Sequence, residues 1–392
     1  MNIVNIVIVG GGAGGLALAS KLGGNLGSAS GQSKRARITL VDRASTHVWK
    51  PLLHEVAAGT LNAFHDEQNY FVHAAKHHYD FQLGSLVALD RKDKHIVLGA
   101  VLRQDGTELV PQRTIKYDFL VVAVGSTCND FGTSGAQEHC IYLDSRLKAD
   151  TFHQKFLEQY IVAHSAKRQD GHDHTLPIVI VGAGATGVEL AAELHFASQQ
   201  YVKLGLSEIA SKNVSITLIE AGPRILAALP EKIANQAMKE LKKLGIKVLT
   251  SEKVIGVTAT HINTASGLSI ESSLKAWCAG IKAPEFLSTL DKLEVNRLNQ
   301  LVVRPTLQTS LDDNIFAFGD CAMCQLDSGI VPPRAQAAHQ QANLLAKNIH
   351  RSLNQQSLKS FVYNDRGSLV SLSSKNSVGT LMGRLTGNVS IH

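Results

Sequence analysis

Two sets of three glycines in this chain share the spacing G-x-G-x-x-G. They are Gly10, Gly12 and Gly15, followed by Gly182, Gly184 and Gly187. In this spacing the first glycine permits a tight turn, the second lets a pyrophosphate approach the backbone, and the third lets a helix pack closely on a strand. Free N–H groups at the start of the next helix then point at the phosphates. The two sets therefore predict dinucleotide binding.

An acidic residue follows each glycine set at the end of an apolar run. Asp42 ends ITLVD and Glu220 ends ITLIE. A carboxylate at this place accepts hydrogen bonds from the ribose hydroxyls of a dinucleotide. One such fingerprint is weak on its own, but two in the same context predict at least one bound dinucleotide.

The elements that would position these residues repeat in one order. Each glycine set follows a β-branched run, IVNIVIV or IVIV, and precedes an alanine-rich helical pattern. Two more apolar runs, residues 117–126 and 314–322, close on Gly125 and on Gly319 with Asp320, and the second glycine set lies between them. The predicted fold class is therefore α/β, with two Rossmann-like dinucleotide-binding domains, the second inserted in the first, and a short C-terminal segment.

Composition limits the function classes. Of 392 residues, 44% are hydrophobic and 18% charged, which predicts a packed core. The net charge of +6 favours anionic partners, but no long basic block indicates nucleic acid. Five cysteines are too few for a disulfide framework and suit a reducing cytoplasm. No window of about 18 uninterrupted apolar residues occurs, so no transmembrane helix is predicted.

Several segments together resemble one family. FGDCA is similar to the FAD signature of flavoprotein reductases that bind two dinucleotides. Within that group, three segments are similar to type II NADH:quinone oxidoreductases: HVWKPLLHEVAAGTL (47–61), PPRAQAAHQQA (332–342) and DRGSLVSLSSKNSVG (365–379). The resemblance implies non-covalent FAD on the first fingerprint and NADH on the second. It also implies transfer of two electrons to a membrane quinone without ion pumping.

The resemblance also implies the domain limits and binding residues. The FAD-binding domain would comprise residues 1–143 and 284–350, the NADH-binding domain 144–283, and the C-terminal segment 351–392. The residues implied for FAD are Gly10, Gly12, Gly15, Asp42, Arg43, Lys50, Pro51, Ala123, Gly125, Gly319, Asp320, Ala335, Gln336 and Ala337. Those implied for NADH are Gly182, Gly184, Thr186, Gly187, Glu189, Glu220 and Gly280. Residues 166–177 are polar and are expected to form the linker into the inserted domain.

The RAQAAHQQA stretch has two interpretations. Gln336 and Gln340 are four residues apart on one helical face, beside a neighbouring face of small residues that comprises Ala335, Ala338 and Ala342. The pattern alone favours a helix that packs on a sheet and exposes a polar side. With the resemblance, the polar face would line a tunnel between flavin and quinone, and both glutamines would donate to quinone carbonyls.

Glu189, Glu220 and Lys375 also allow two interpretations each. Glu189 fits a first-turn acid that favours the helix dipole, whereas the resemblance places it between the nicotinamide and quinone pockets, where it would deliver protons. Lys375 fits a solvated lysine, or in the resemblance a residue near the quinone head group. The predicted catalytic residues are Glu189, Gln336, Gln340 and Lys375. Glu220 would repel a 2′-phosphate and so favours NADH over NADPH, an effect that Arg224 could soften.

Other polar clusters carry weaker predictions. Cys321 and Cys324 form a CxxC that fits redox-active thiols or half a zinc site, but without a second CxxC they are predicted to be buried thiols. The pairs His73 and His77, and His172 and His174, lack further ligand residues, so no metal is predicted.

The partners follow from the family resemblance. It implies ubiquinone or menaquinone as substrate, a homodimer, and a cytoplasmic enzyme held on the inner face of the membrane through the C-terminal region, which in this chain is expected to be either naturally short or truncated. No nucleic-acid partner is expected. Two alternatives stay open: a flavin reductase with a sulfide, thiol or ferredoxin acceptor, and a slow redox-sensing interaction protein.

Overall fold

The β-branched runs that precede the two glycine sets form buried parallel strands, Val4–Val9 and Leu176–Val181. Strands covered on both faces are continuously apolar, as these runs are. The computed structural model describes residues 3–27, 35–62, 67–209, 213–373, 376–381 and 384–387. It divides into two compact units, and each of the two strands lies in one of them.

The first unit comprises Met1–Trp49, Glu67–Thr127 and Ile281–Asp365, and the second comprises Lys50–Asp66, Cys128–Gly280 and Arg366–His392. The helices that the structure describes are α1 (Ala13–Leu26), α2 (Leu53–Ala58), α3 (Tyr70–His77), α4 (Ala136–His139), α5 (Arg146–Asp170), α6 (Ala185–Lys203), α7 (Glu231–Lys243) and α8 (Ala335–Leu353). Short 3-10 helices are Lys50–Leu52, Glu285–Thr289 and Gly319–Cys321.

A nine-stranded sheet forms the centre of the first unit. Its spatial order is Gly329–Ile330, Ala322–Leu326, Leu301–Val303, Gln308–Thr309, Asp312–Ala317, Phe119–Val122, Val4–Val9, Ala36–Asp42 and Asp80–Leu83. The smaller sheets contain Leu86–Asp90, His95–Leu98 and Arg113–Lys116; Val101–Leu102 and Glu108–Val110; and Thr46–His47 and Gln68–Asn69. Helices α1 and α8 pack against each other in this unit.

Strand register brings the ends of the central strands level with one another. Val9 lies opposite both Val41 and Val122, and Val122 lies opposite Ala317. All these pairs are parallel, so the residues that follow them emerge at one edge of the sheet. In open α/β sheets ligands bind at this carboxyl edge.

A five-stranded sheet forms the centre of the second unit, in the order Ile141–Tyr142, Leu274–Trp277, Leu176–Val181, Val214–Ile219 and Lys247–Leu249. Two antiparallel sheets accompany it, Val254–Val257 with His261–Thr264 and Ser269–Glu271, and Gly367–Ser373 with Asn376–Leu381 and Arg384–Gly387. Val181 lies opposite Ile219 and Trp277 in parallel pairs, so the same edge arrangement recurs. The short strands Thr127–Cys128 and Ile281–Lys282 lie where the chain passes between the units.

The α/β fold class with two dinucleotide-type domains is thus confirmed. The linker expected at residues 166–177 is wrong in its first half, because Arg146–Asp170 form one helix that belongs to the second unit. The stretch AKRQD contains good helix formers, and helix α5 extends through them to the left-handed Gly171. The units also divide the chain at places other than 143/144 and 283/284, with Lys50–Asp66 and Arg366–His392 in the second unit.

Candidate functional site

The first glycine turn has the shape of a phosphate cradle. Gly10 has φ +105°, and a Cβ on it would overlap the backbone of Ala123. A Cβ on Gly15 would overlap the carbonyl oxygen of Gly10. A Cβ on Gly12 would meet no atom of the described residues within 4 Å. The outer two glycines are therefore required by packing, whereas the middle one faces open space at the start of α1.

The second glycine turn repeats this geometry in the second unit. Gly182 has φ +99°, and a Cβ there would overlap Ala279. A Cβ on Gly187 would overlap the carbonyl oxygen of Gly182, and one on Gly184 would meet no described atom within 4 Å. Both turns leave space for a ligand at the position where a pyrophosphate approaches the backbone.

The two acids hold their glycine turns in the same way. Asp42 accepts hydrogen bonds from the N–H of Gly11 at 2.6 Å and of Ala44 at 2.9 Å. Glu220 accepts from the N–H of Ala183 at 2.9 Å and of Gly222 at 2.7 Å. Each carboxylate oxygen keeps a further lone pair, so both acids can still accept from a ribose hydroxyl.

The neighbouring Arg224 is not oriented toward a phosphate in this arrangement. Its guanidinium donates to the carbonyl oxygens of Leu226 at 3.3 Å, Leu229 at 2.9 Å and Ala227 at 2.7 Å. An arginine bound to three carbonyls of its own loop has few donors left for a second ligand. The negative charge at Glu220 therefore dominates this corner of the second unit.

Asp320 lies at the same edge of the first unit as the first glycine turn. Its carboxylate accepts from the hydroxyl of Ser126 at 2.8 Å, and its carbonyl accepts from the amide of Gln300 at 3.0 Å. The buried Gln341 of α8 accepts from the N–H of Gly319 at 2.9 Å. Sequence reasoning did not identify Ser126, Gln300 or Gln341, because each is a polar residue whose partner is distant in the chain.

Helix α8 begins at Ala335, directly after Pro332, Pro333 and Arg334. The amide of Gln340 donates to the carbonyl of Asn364 at 2.8 Å and accepts from its N–H at 3.0 Å. Gln336 donates to Asp365 at 3.2 Å, and Arg334 forms an ion pair with the same carboxylate at 3.3 Å. The polar face thus binds residues 364–365.

The small residues of α8 lie on its inner side. Ala337, Ala338 and Ala342 are buried, and Ala338 packs close to Gly14 and Gly319. Ala335 is exposed, so the predicted alanine face is shifted by part of a turn.

Glu189 lies in a buried polar cluster of the second unit. One oxygen, Oε1, accepts from the backbone N–H of Ser371 at 3.1 Å, and the other, Oε2, is 3.5 Å from Nδ1 of His54. Burial, with the carboxylates of Glu55 and Glu193 adding to it, raises the pKa of Glu189 to about 8, although the Ser371 N–H opposes this. Glu189 is therefore a carboxyl group that holds a proton at neutral pH.

His54 is the partner that sequence reasoning missed. Burial lowers the pKa of its imidazole to about 4, against a hydrogen bond to Pro51 that favours the charged form. The available signal was a histidine within the apolar run LLHEVAA, which predicts burial but not a partner.

The remaining predicted residues are distributed over both units. Arg43 is exposed in the first unit, where Gly125 also lies, whereas Lys50 and Pro51 belong to the 3-10 helix of the second unit. Thr186 lies in the first turn of α6, and Gly280 has φ +61° beside Phe131. Lys375 lies outside the described residues.

The CxxC and histidine pairs have structural partners. Burial raises the pKa of Cys321 to about 12 and that of Cys324 to about 11, so both thiols stay protonated. The ring of His73 bonds the hydroxyl of Tyr79 at 2.8 Å, and His174 bonds Asp170 at 2.8 Å. Among the described residues, no group of three or more histidine, cysteine, aspartate or glutamate side chains is placed to hold a metal ion. None of the helices that the structure describes combines the length and apolarity needed to cross a membrane.

The two glycine turns, each with its bound acid, are typical of one class of protein. Residues 4–342 match the model of the pyridine nucleotide-disulphide oxidoreductase family, which covers most of the chain. The chain is thus an oxidoreductase of this class.

Relatives narrow the class further. A type II NADH:quinone oxidoreductase from Haemophilus influenzae is 43% identical over 98% of this chain and 88% of that protein. One from Staphylococcus aureus is 28% identical over 97% of this chain and 90% of that protein. A structure of NDH2 from Plasmodium falciparum in complex with NADH has the same fold, with a TM-score of 0.83 at 20% identity over 99% of this chain and 92% of that chain. This chain belongs to the type II NADH:quinone oxidoreductase family and is an enzyme, as the sequence resemblance predicted.

Proposed function

We propose that this enzyme oxidises NADH through non-covalent FAD and passes two electrons to a membrane quinone. The observation that carries the proposal is the pair of matching glycine cradles, one in each unit, each with an open central glycine and an acid bonded to its turn. Two dinucleotide sites are what a hydride transfer between NADH and FAD requires. The 43% identity with the Haemophilus influenzae enzyme supports NADH and quinone as the substrates.

The first unit supplies the FAD site in this proposal. The N–H groups at the start of α1 bind the pyrophosphate past Gly12, and Asp42 accepts from the ribose. Asp320 and Gly319 face the same edge and are held there by Ser126 and Gln341. A bound FAD supplies the hydride acceptor and two-electron carrier that no amino-acid side chain provides.

The second unit supplies the NADH site. Gly184 and the first turn of α6, with Thr186, bind the pyrophosphate, and Glu220 accepts from the adenosine ribose. Glu220 disfavours a 2′-phosphate by charge. Glu189, on the same helix and protonated near neutral pH, supplies a proton to the second substrate.

The quinone is assigned to the polar face of α8. Gln336 and Gln340 donate to its carbonyls, and Lys375 is proposed near its head group. Both glutamines are hydrogen bonded to residues 364–365. Quinone binding therefore exchanges hydrogen bonds with this segment, or uses the second N–H of each amide.

The enzyme is proposed to be a cytoplasmic, peripheral membrane homodimer that pumps no ions. A net charge of +6 favours contact with an acidic lipid surface. The proposed domain limits remain residues 1–143 with 284–350 for FAD and 144–283 for NADH.

The acceptor is tested by steady-state NADH oxidation with the purified flavin-loaded chain. Soluble quinones are compared with sulfide-derived, disulfide and ferredoxin acceptors at matched concentration. Rapid turnover with quinone alone is expected. Because Cys321 and Cys324 are buried and protonated, alkylating reagents should leave quinone turnover intact. Preference for a thiol-linked acceptor, or turnover too slow to measure with every acceptor, would reject the proposal.

A further inference from the structure

His54 lies beside Glu189, and one of its two ring nitrogens makes no hydrogen bond to the described residues. The residue is 4% exposed, and the hydrogen bond of its ring to Pro51 must be a donation, because a proline offers only its carbonyl oxygen. Nε2 has no hydrogen-bond partner among the described residues, so Nδ1 is the donor. The neutral ring therefore holds its proton on Nδ1 and presents a bare lone pair at Nε2.

Each ring nitrogen faces a different carboxyl group. Nδ1 is 3.5 Å from Oε2 of Glu189, and Nε2 is 3.7 Å from Oε1 of Glu55. The side chain of Glu55 is 31% exposed, against 5% for His54 and 14% for Glu189. The three titratable groups therefore form a row from the partly exposed Glu55, through the buried ring of His54, to Glu189. Glu189 is the carboxyl group that must be protonated in the proposed function. Distances of this length shorten when protons move, as in many ligand-free catalytic sites.

The groups that surround Glu189 determine the direction in which a proton moves between His54 and Glu189. The carboxylates of Glu55 and Glu193 face it, and strand Gly367–Ser373 adds a backbone N–H from Ser371 but no titratable side chain. The pKa of Glu189 is raised to about 8 and that of His54 lowered to about 4, both mainly by burial. A proton on the ring therefore passes to the Glu189 carboxylate downhill, and its return is disfavoured.

We propose that His54 relays protons from the Glu55 side to Glu189. The Glu55 carboxylate takes a proton from solvent and passes it to Nε2, or water beside it protonates Nε2 directly, and the ring becomes a cation. The Nδ1 proton leaves its hydrogen bond to the Pro51 carbonyl, the N–H bond breaks and an O–H bond forms on Oε2 of Glu189, which leaves a neutral ring with its proton on Nε2. Exchange with water restores the first tautomer. The inference rests on the proposed function only in giving Glu189 a proton to donate.

The relay is tested at Glu189 itself in the full flavin-loaded chain. A pH jump is followed by the infrared band of the protonated carboxyl, assigned by its loss in Glu189→Gln. His54→Gln should slow protonation of Glu189 at least about tenfold, and Glu55→Gln should slow it less. Since both act in series, the double variant should be no slower than His54→Gln alone. The matched control is His73→Gln, which alters another buried histidine, in the first unit.

A chemical rescue experiment distinguishes proton transfer by His54 from a purely structural role of this residue. In His54→Gly, added imidazole should restore fast protonation, which repair of packing by other small molecules would not do. If His54→Gln loses its flavin or its melting transition, Glu55→Gln tests the same step at a partly exposed position. An unchanged rate in both variants, or fully additive slowing in the double variant, overturns the relay.

The infrared readout needs no second substrate, so the two proposals fail separately. A wild-type chain that shows the relay but does not reduce quinone rejects the proposed function only. A chain that reduces quinone equally well with and without His54, at unchanged carboxyl protonation rate, rejects the relay only. If both hold, His54→Gln lowers kcat with quinone while the rate of flavin reduction by NADH stays within about twofold.

Discussion

Glu220 combines a structural and a selective role in one side chain. Its two oxygens bind N–H groups of Ala183 and Gly222, which fixes the second glycine turn, and the same charge faces the place where an adenosine ribose is proposed. A 2′-phosphate 4 Å away would be repelled by about 4 kcal/mol at an effective dielectric of 20.

Removing this charge should relax the choice of cofactor. Glu220→Gln is expected to raise kcat/KM for NADPH relative to NADH by about tenfold, less than the full repulsion because solvent and salt screen this half-buried charge. Steady-state kinetics with both cofactors measure the ratio. The control is Glu231→Gln, an exposed glutamate of the same unit, which should leave it unchanged. An unaltered ratio in Glu220→Gln would show that Glu220 does not determine the choice between NADH and NADPH.

Glu189 should make stability depend on pH with a definite sign. Its pKa is about 8 in the folded chain against 4.5 as the ordinary value, so below pH 4.5 both states are protonated and there is no penalty. Between these values the unfolded chain loses a proton that the folded chain retains, and stability falls as pH rises. Above pH 8 the loss is complete.

Glu189→Gln, which keeps an acceptor for Ser371, should therefore gain stability over the wild type as pH rises from 4.5 to 8. The expected difference at pH 8 is on the order of a few kcal/mol. Urea unfolding of the wild type and of Glu189→Gln across this range measures it. A difference that stays constant with pH would show that Glu189 is ionised in the folded chain.

At the scale of elements, two glycines of α1 and its preceding turn allow an effect on packing to be distinguished from an effect on ligand binding. Gly12 and Gly24 share an environment, since a Cβ on either would meet no described atom within 4 Å, and they lie at the start and near the end of α1. Only Gly12 lies where the proposed pyrophosphate contacts the backbone. The two positions therefore form a matched pair.

Gly12→Ala and Gly24→Ala should both fold. Gly24→Ala is expected to stabilise the chain by about 0.5–1 kcal/mol, because alanine favours a helix interior, and to retain its flavin. Gly12→Ala should lose at least about tenfold in flavin affinity, because its methyl group occupies the ligand space. Ultrafiltration and flavin fluorescence measure the affinity. Equal flavin affinity in both variants would place the cofactor elsewhere.

The same elements show why sequence predicts some features and misses others. The glycine turns were predictable because strand, turn and helix are contiguous, and the required spacing lies within a few residues. The bond from Gly319 to Gln341 was not, because a polar residue in a helical pattern is expected outside, and only the folded chain shows a buried N–H that needs an acceptor. The linker expected at residue 166 was helix because nothing in AKRQD stops a helix before Gly171.

Across the whole molecule, the fold class and the two glycine turns follow from a repeated local pattern, whereas the Glu189 cluster does not. His54, Glu189 and Ser371 come from three distant parts of the chain and meet only through packing within the second unit. A contact of this kind leaves no spacing to read in a single sequence. The family resemblance identified Glu189 but gave it no partner.

Electrons are proposed to pass from NADH through a bound flavin to a quinone, and a double-mixing experiment follows both transfers. The purified chain is mixed anaerobically with NADH in a stopped-flow spectrometer, and then with a soluble quinone. The flavin absorbance is expected to bleach with NADH and to return stoichiometrically with quinone, at rates consistent with steady-state turnover. A chain that binds no flavin, or whose reduced flavin is not reoxidised by quinone, would contradict this proposal.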